Sequence, residues 1–134
     1  MSAQRPESER ERWLRYARED LETARLLHAR MDMPPRQVCV LSQQAAEKAL
    51  KAALIAQRVP VPRTHDLRAL SDMLAKPLGL ETTVLIELTD WGAKSRYPED
   101  WTEPTAERAG EALAIAEHVV EAVAARFASK ESPS

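Results

Sequence analysis

Gln43-Gln44-Ala45-Ala46-Glu47-Lys48-Ala49-Leu50-Lys51-Ala52 is the stretch whose reading decides the fold, and Thr64-His65-Asp66-Leu67 follows it twelve residues later. Every residue of the first block is a good or fair helix former, with no Gly, Pro or β-branched side chain to interrupt it. The helix that contains it is expected over about 35–57 and is apolar around most of its circumference. Val38, Leu41, Ala45, Ala49, Ala52 and Ala56 line one side, with Cys39, Ala46, Leu50, Ala53 and Leu54 beside them. Only a narrow polar stripe of Gln37, Gln44, Glu47, Lys48 and Lys51 remains. A helix with so little polar surface belongs at the centre of a bundle or in a subunit interface.

Upstream, Ser8-Glu9-Arg10-Glu11 fits a capping box. Trp13, Ala17, Leu21, Ala24, Leu27 and Met31 then recur at spacings of three and four, which builds one apolar stripe on a first helix. Pro34-Pro35 ends that helix and starts the next. Downstream, Val59-Pro60-Val61-Pro62 reads as a short extended link. Thr64 is the expected N-cap of a short third helix, with Asp66 in its first turn and Leu67, Leu70 and Leu74 on its apolar side, ended by Lys76-Pro77. A fourth helix over about 81–91 carries Val84, Leu85, Leu88 and Trp91, with Gly92 as its C′ residue. A loop from Ala93 to Trp101 contains Arg96-Tyr97-Pro98. The last helix starts near Pro104 with Ala106, Ala109, Leu113, Ala116, Val120, Val123 and Phe127 in one stripe. Residues 129–134 are expected to be a disordered tail. The expected class is all-α, with four to five helices.

A chain of 134 residues fits one domain, 1–134, without internal repeats. At this size roughly two-thirds of the unfolded surface is buried on folding, so neither disulfides nor a structural metal is needed. The formal net charge of −2 argues against broad non-specific nucleic-acid binding. Charge is unevenly spread: residues 34–76 carry seven basic and three acidic side chains, residues 77–134 five and eleven. That asymmetry permits a local anion or RNA site. Cys39 is the one cysteine and sits between Val38 and Val40, as a small buried apolar residue would. A reducing, cytoplasmic location is the default expectation. Met1 to Arg12 has no apolar h-region and no run approaches twenty apolar residues, so neither a signal peptide nor a membrane span is read.

Taken together these features resemble the HEPN-domain family, in its small, single-domain prokaryotic form. Trp13, Ala17, Asp20-Leu21 and Ala24 carry the match on the first helix. The Gln43 to Leu50 block, Thr64-His65-Asp66-Leu67, Arg96-Tyr97-Pro98, and Ala109 with Leu113 and Ala116 complete it over about residues 10–126. The resemblance implies an up-and-down helical bundle that pairs into a homodimer. It also implies association with a minimal nucleotidyltransferase, in some members as toxin and antitoxin. Many members are metal-independent ribonucleases marked by an Arg-x4-6-His motif; others lack it and act as nucleotide-binding or partner proteins.

In the ribonuclease chemistry an arginine holds the scissile phosphate while a histidine moves the proton of the ribose 2′-hydroxyl. Arg96 occupies the arginine position, but the histidine would fall at 101, 102 or 103, where Trp101, Thr102 and Glu103 stand. A positioned general base is worth about 10²–10⁴-fold, so its loss leaves little cleavage. Arg58 and His65 satisfy the bare spacing with six residues between them. Pro60 and Pro62 keep that segment extended, which would place the two backbones roughly 20 Å apart.

The expectation is therefore a non-catalytic HEPN-type module, homodimeric, serving a nucleotidyltransferase and binding nucleotide or RNA. Its candidate residues are Arg96, Tyr97, His65, Asp66, Lys48, Glu47 and Lys51. A metal-independent ribonuclease toxin using Arg96 with His65 as a non-standard base is the first alternative. A helical dimer with another partner or no ligand is the second. Each candidate also has a purely structural reading. Arg96 would pair with Glu99 or Asp100 or cap the fourth helix, Tyr97 would anchor its loop by packing, and His65 and Asp66 would fix the start of the third helix. Glu47 with Lys51 would be an i,i+4 surface pair worth a few tenths of a kcal/mol. His118 should be solvated, and His28, near the apolar side of the first helix, should sit at an interface or an edge. No zinc ligand set, phosphate loop or other cofactor site is read.

Overall fold

Ser8 starts the first helix by the expected reciprocal bonds: its Oγ accepts from Glu11 N–H at 3.2 Å, and its own N–H donates to Glu11 Oε1 at 3.2 Å. The computed structural model describes residues 5–98 and 101–131, with side chains to residue 128. Five helices occur among them: α1 (Glu9–Ala29), α2 (Pro35–Ala56), α3 (Leu67–Asp72), α4 (Thr82–Lys94) and α5 (Ala106–Glu131). They form the expected all-α, up-and-down bundle, and no strand is present among the described residues.

α2 is the hub. It packs on α1, α5, α4 and α3, and all of Val38, Cys39, Ala45, Ala46, Ala49, Leu50, Ala52, Ala53 and Leu54 are buried. Of the two explanations for so apolar a helix, its own chain supplies the first: it is central. The small side chains of α2 let α1 and α5 close over it, and Leu14, Ala17, Leu21 and Ala24 from α1 meet Ala109, Leu113, Ala116, Val120 and Val123 from α5 in one core. Burial raises the Cys39 thiol to about 11.

Several boundaries are corrected. α1 ends at Ala29, so Met31 leaves the apolar stripe and is fully exposed, while Leu14 joins the core. Asp66, not Thr64, is the N-cap of α3: its carboxylate accepts from Arg68 N–H at 3.0 Å and Ala69 N–H at 3.3 Å. Thr64 Oγ1 instead accepts from Asp66 N–H, a turn that presents the cap. α3 stops at Asp72, before the Lys76-Pro77 break, with Leu74 buried beyond its end. Gly92 is not a C′ residue but lies buried inside α4, which runs on to Lys94. α5 opens at Ala106, which is exposed, while Pro104 ahead of it is buried. The helix continues to Glu131 past the point where a disordered tail was expected to start at Ser129, and residues 132–134 lie outside the described ones.

The end of α2 is closed by Arg58 in a left-handed conformation, φ 59°, with Val59 N–H bonded back to Leu54 C=O at 3.1 Å. A C′ residue in that region favours glycine, because a Cβ crowds the backbone there. The Val59–Pro62 link that follows is non-helical, as expected. Two stability outcomes follow from these ends. Asp66→Ala is expected to cost about 1 kcal/mol in urea unfolding and Thr64→Ala less. Arg58→Gly is expected to raise stability by about 0.5–1 kcal/mol.

Candidate functional site

Gln43, Glu47 and Lys51 are spaced by four on α2, so they stack along one face of the helix. The α2–α3 link lays His65 against that face, and the end of α4 brings Arg96 to it from the other side. Glu47 Oε1 accepts from Gln43 Nε2 at 2.9 Å and meets His65 Nδ1 at 2.8 Å, while Glu47 Oε2 accepts from Lys51 Nζ at 2.8 Å. Gln43 Nε2 also donates to His65 C=O at 3.3 Å, and Gln43 Oε1 accepts from Arg96 Nη2 at 2.8 Å. Arg96 and His65 are thus joined through one glutamine and one carboxylate.

Glu47 and Lys51 are only 8% and 9% exposed, which corrects the surface-pair reading. The polar stripe is drawn inside because Trp13 of α1 covers Lys51, whose Nζ lies 5.8 Å from the ring centre. Burial pushes the Glu47 carboxyl upward, but hydrogen bonds from Lys51, Gln43 and His65 outweigh it and hold the group below the ordinary value of 4.5. An ionised carboxylate only accepts, so His65 Nδ1 carries the hydrogen in this contact. The His65 side chain is otherwise 68% exposed, and in the neutral ring its lone pair resides on Nε2.

An open cleft of about 540 Å³ adjoins Arg96, lined by Arg36, Ser95, Arg96, Tyr97, Trp101 and Glu103 among others. Trp101 packs on Trp91 of α4 with ring centres 5.8 Å apart. Ser95 Oγ is buried without a hydrogen-bond partner among the described residues. Tyr97 is 62% exposed, so it is a cleft wall and not the packing anchor its place before Pro98 suggested. Arg96 N–H donates to Ala93 C=O at the end of α4 at 3.3 Å, but its side chain reaches Gln43, and its expected partners Glu99 and Asp100 lie outside the described residues.

Two candidates are placed elsewhere. Lys48 pairs with Asp20 of α1 at 2.6 Å and stands over Tyr16, away from the Arg96–His65 contacts. The carboxylate of Asp66 is engaged in capping α3. Arg58, the other half of the bare Arg-x6-His spacing, takes no part in the hydrogen bonds around His65. His118 is exposed as expected, and His28 is an exposed edge residue of α1. Among the described residues no group of three or more His, Cys, Asp or Glu could hold a metal ion, and no helix is long and apolar enough to cross a membrane. Gln43, Arg36 and Trp101 were missed as site residues. The four-residue step from Gln43 to Glu47 to Lys51 was the available signal for the first.

The family model described as the HEPN domain matches residues 10–127. Among solved structures, the chain is similar to TT1696 from Thermus thermophilus, at 26% identity and a TM-score of 0.73, over 85% of this chain and 94% of that one. It is also similar to ST0689, an archaeal HEPN homologue, at 28% identity and a TM-score of 0.70, over 89% of this chain and 98% of that one. The comparison with curated proteins found no match.

Because the folded Glu47 carboxyl titrates below its unfolded value, its contribution to stability is fully present above about pH 4.5 and is lost as pH falls through the folded value. Urea unfolding followed from about pH 6 down to pH 3 should therefore show a decline that Glu47→Gln makes shallower. Lys51→Ala leaves the carboxylate buried with weaker partners and should cost about 3 kcal/mol at neutral pH.

Proposed function

The chain belongs to the HEPN-domain family, and from that premise we propose that it is a non-catalytic HEPN module that binds a nucleotide or RNA phosphate at Arg96. In this reading it acts in the cytoplasm as a single-domain homodimer and serves a minimal nucleotidyltransferase in a toxin–antitoxin-like system. The observation that carries the binding reading is the placement of Arg96: its guanidinium is tied to Gln43 beside an open, aromatic-walled cleft. A cleft of this volume is within the range of small-ligand sites. Arg36, paired with Glu103 at 3.6 Å, adds a second cation, and Trp101 and Tyr97 add flat surfaces against which a base can stack.

The apolar character of α2 no longer argues for pairing, because α1 and α5 of the same chain cover it. Pairing is supported instead by family membership and by an apolar groove between α4 and α5 lined by Val84, Leu88, Trp91 and Ile115. Ile86, 48% exposed, adds to the apolar surface of α4.

The ribonuclease alternative gains support from one contact. Glu47 orients His65 with its lone pair on the exposed Nε2, as a general base requires. The three positions where the family motif would have its histidine are held by Trp101, Thr102 and Glu103, of which Trp101 and Glu103 line the cleft.

Calorimetric titration with ATP and with UMP should detect binding that Arg96→Ala weakens about tenfold or more. Lys48→Ala, on a different face of α2, should leave it unchanged. Equal binding by wild type and Arg96→Ala would overturn the assignment. RNA cleavage in EDTA that disappears in both Arg96→Ala and His65→Ala would replace the non-catalytic reading with the ribonuclease one. A monomeric mass in solution at micromolar concentration would refute the homodimer.

A further inference from the structure

Gln43 is 1% exposed, and both the nitrogen and the oxygen of its amide are engaged. Nε2 donates to Glu47 Oε1 and to His65 C=O, and Oε1 accepts from Arg96. Rotating the amide by half a turn would set its oxygen against a carboxylate and a carbonyl and its NH₂ against a guanidinium. All three contacts would become repulsive, so the orientation is determined by charge and not merely by space. The acceptor that Arg96 meets is therefore always an oxygen in one place.

The glutamine can reach that place only because residue 92 lacks a side chain. A Cβ on Gly92 would lie 2.6 Å from both Cβ and Cγ of Gln43 and 3.2 Å from its Cδ. Real Cβ atoms do not come so close to carbon, and Gln43 is enclosed, so it would be displaced. The glycine inside α4 weakens that helix relative to alanine, and close approach of Gln43 is what it permits.

We propose that Gln43 is the positioning residue for Arg96, with Gly92 as the residue that admits it, so that Arg96 faces the cleft as a pre-oriented anion fork. Gln43 Oε1 holds one Nη2 hydrogen of the guanidinium. No other Arg96 side-chain hydrogen bond occurs among the described residues, so the second Nη2 hydrogen, with its neighbour on Nε or Nη1, remains as a two-donor fork for two oxygens of a phosphate or carboxylate. A lysine could not serve, since a point charge gains nothing from a fixed plane. This inference rests on the reading of Arg96 as a ligand-binding residue, but its first readout does not require a ligand.

Rotation of the Arg96 guanidinium, followed by nitrogen-15 NMR of the full chain without ligand, tests it. The expected result is slow Nη rotation in the wild type and free rotation in Gln43→Met, which keeps the side chain's length and removes its amide. Gly92→Ala should free Arg96 in the same way. UMP affinity should fall about tenfold in both variants, as in Arg96→Ala, while helix content by circular dichroism is retained. Fast rotation in the wild type, or rotation unchanged by Gln43→Met, overturns the positioning role. Slow rotation that Gln43→Met abolishes, in a wild type that binds no nucleotide, upholds the positioning role and overturns the nucleotide reading.

Discussion

A carboxylate cannot stay ionised inside a helical bundle unless donors replace the water it leaves behind, and Glu47 finds them in Lys51, Gln43 and His65. Satisfying that one group dictates much of the surrounding structure. Lys51 is folded back along its own helix and roofed by Trp13 from α1. The extended link after α2 must deliver the His65 ring to it, which fixes where α3 begins. The glutamine that completes the set holds Arg96 in turn, so the loop after α4 is tied to the same point. Three segments distant in sequence thus take their relative positions from a single buried charge. Packing alone would tolerate small shifts; hydrogen-bond geometry at a charged group does not.

The framework was legible in the sequence because it follows from periodicity. α2 announced itself through alanine and leucine spacing, α1 through its capping box, and α5 through its unbroken stripe. The site was legible only in outline. Arg96 and His65 were singled out, but no local pattern shows what links them, and the path through Gln43 and Glu47 joins them. Glu47 and Lys51 read as a solvated pair because i,i+4 spacing is the same on a buried face as on an exposed one. What hides them is Trp13 on α1 and the α2–α3 link, a tertiary fact without local signature.

Gly92 misled for a related reason. A glycine after Trp91 near the end of an apolar run has the appearance of a helix stop, and local rules assign it that way. Its place is decided instead by Gln43, about fifty residues earlier in the chain. Thr64 and Asp66 show a smaller version of the same ambiguity. Either side chain can cap a helix, and the choice fell to Asp66 because Thr64 is occupied in turning the backbone that presents it.

The lone thiol gives the fold an internal reporter. Cys39 is wholly enclosed on α2, the helix on which every other one leans, and burial suppresses its thiolate. Alkylating reagents and oxidants can reach it only when the bundle opens around the hub. The rate at which this chain is labelled in native buffer is therefore a measure of how often its central helix is uncovered. A covalently linked pair of chains would record two such openings and would not reflect any surface on which folded copies meet.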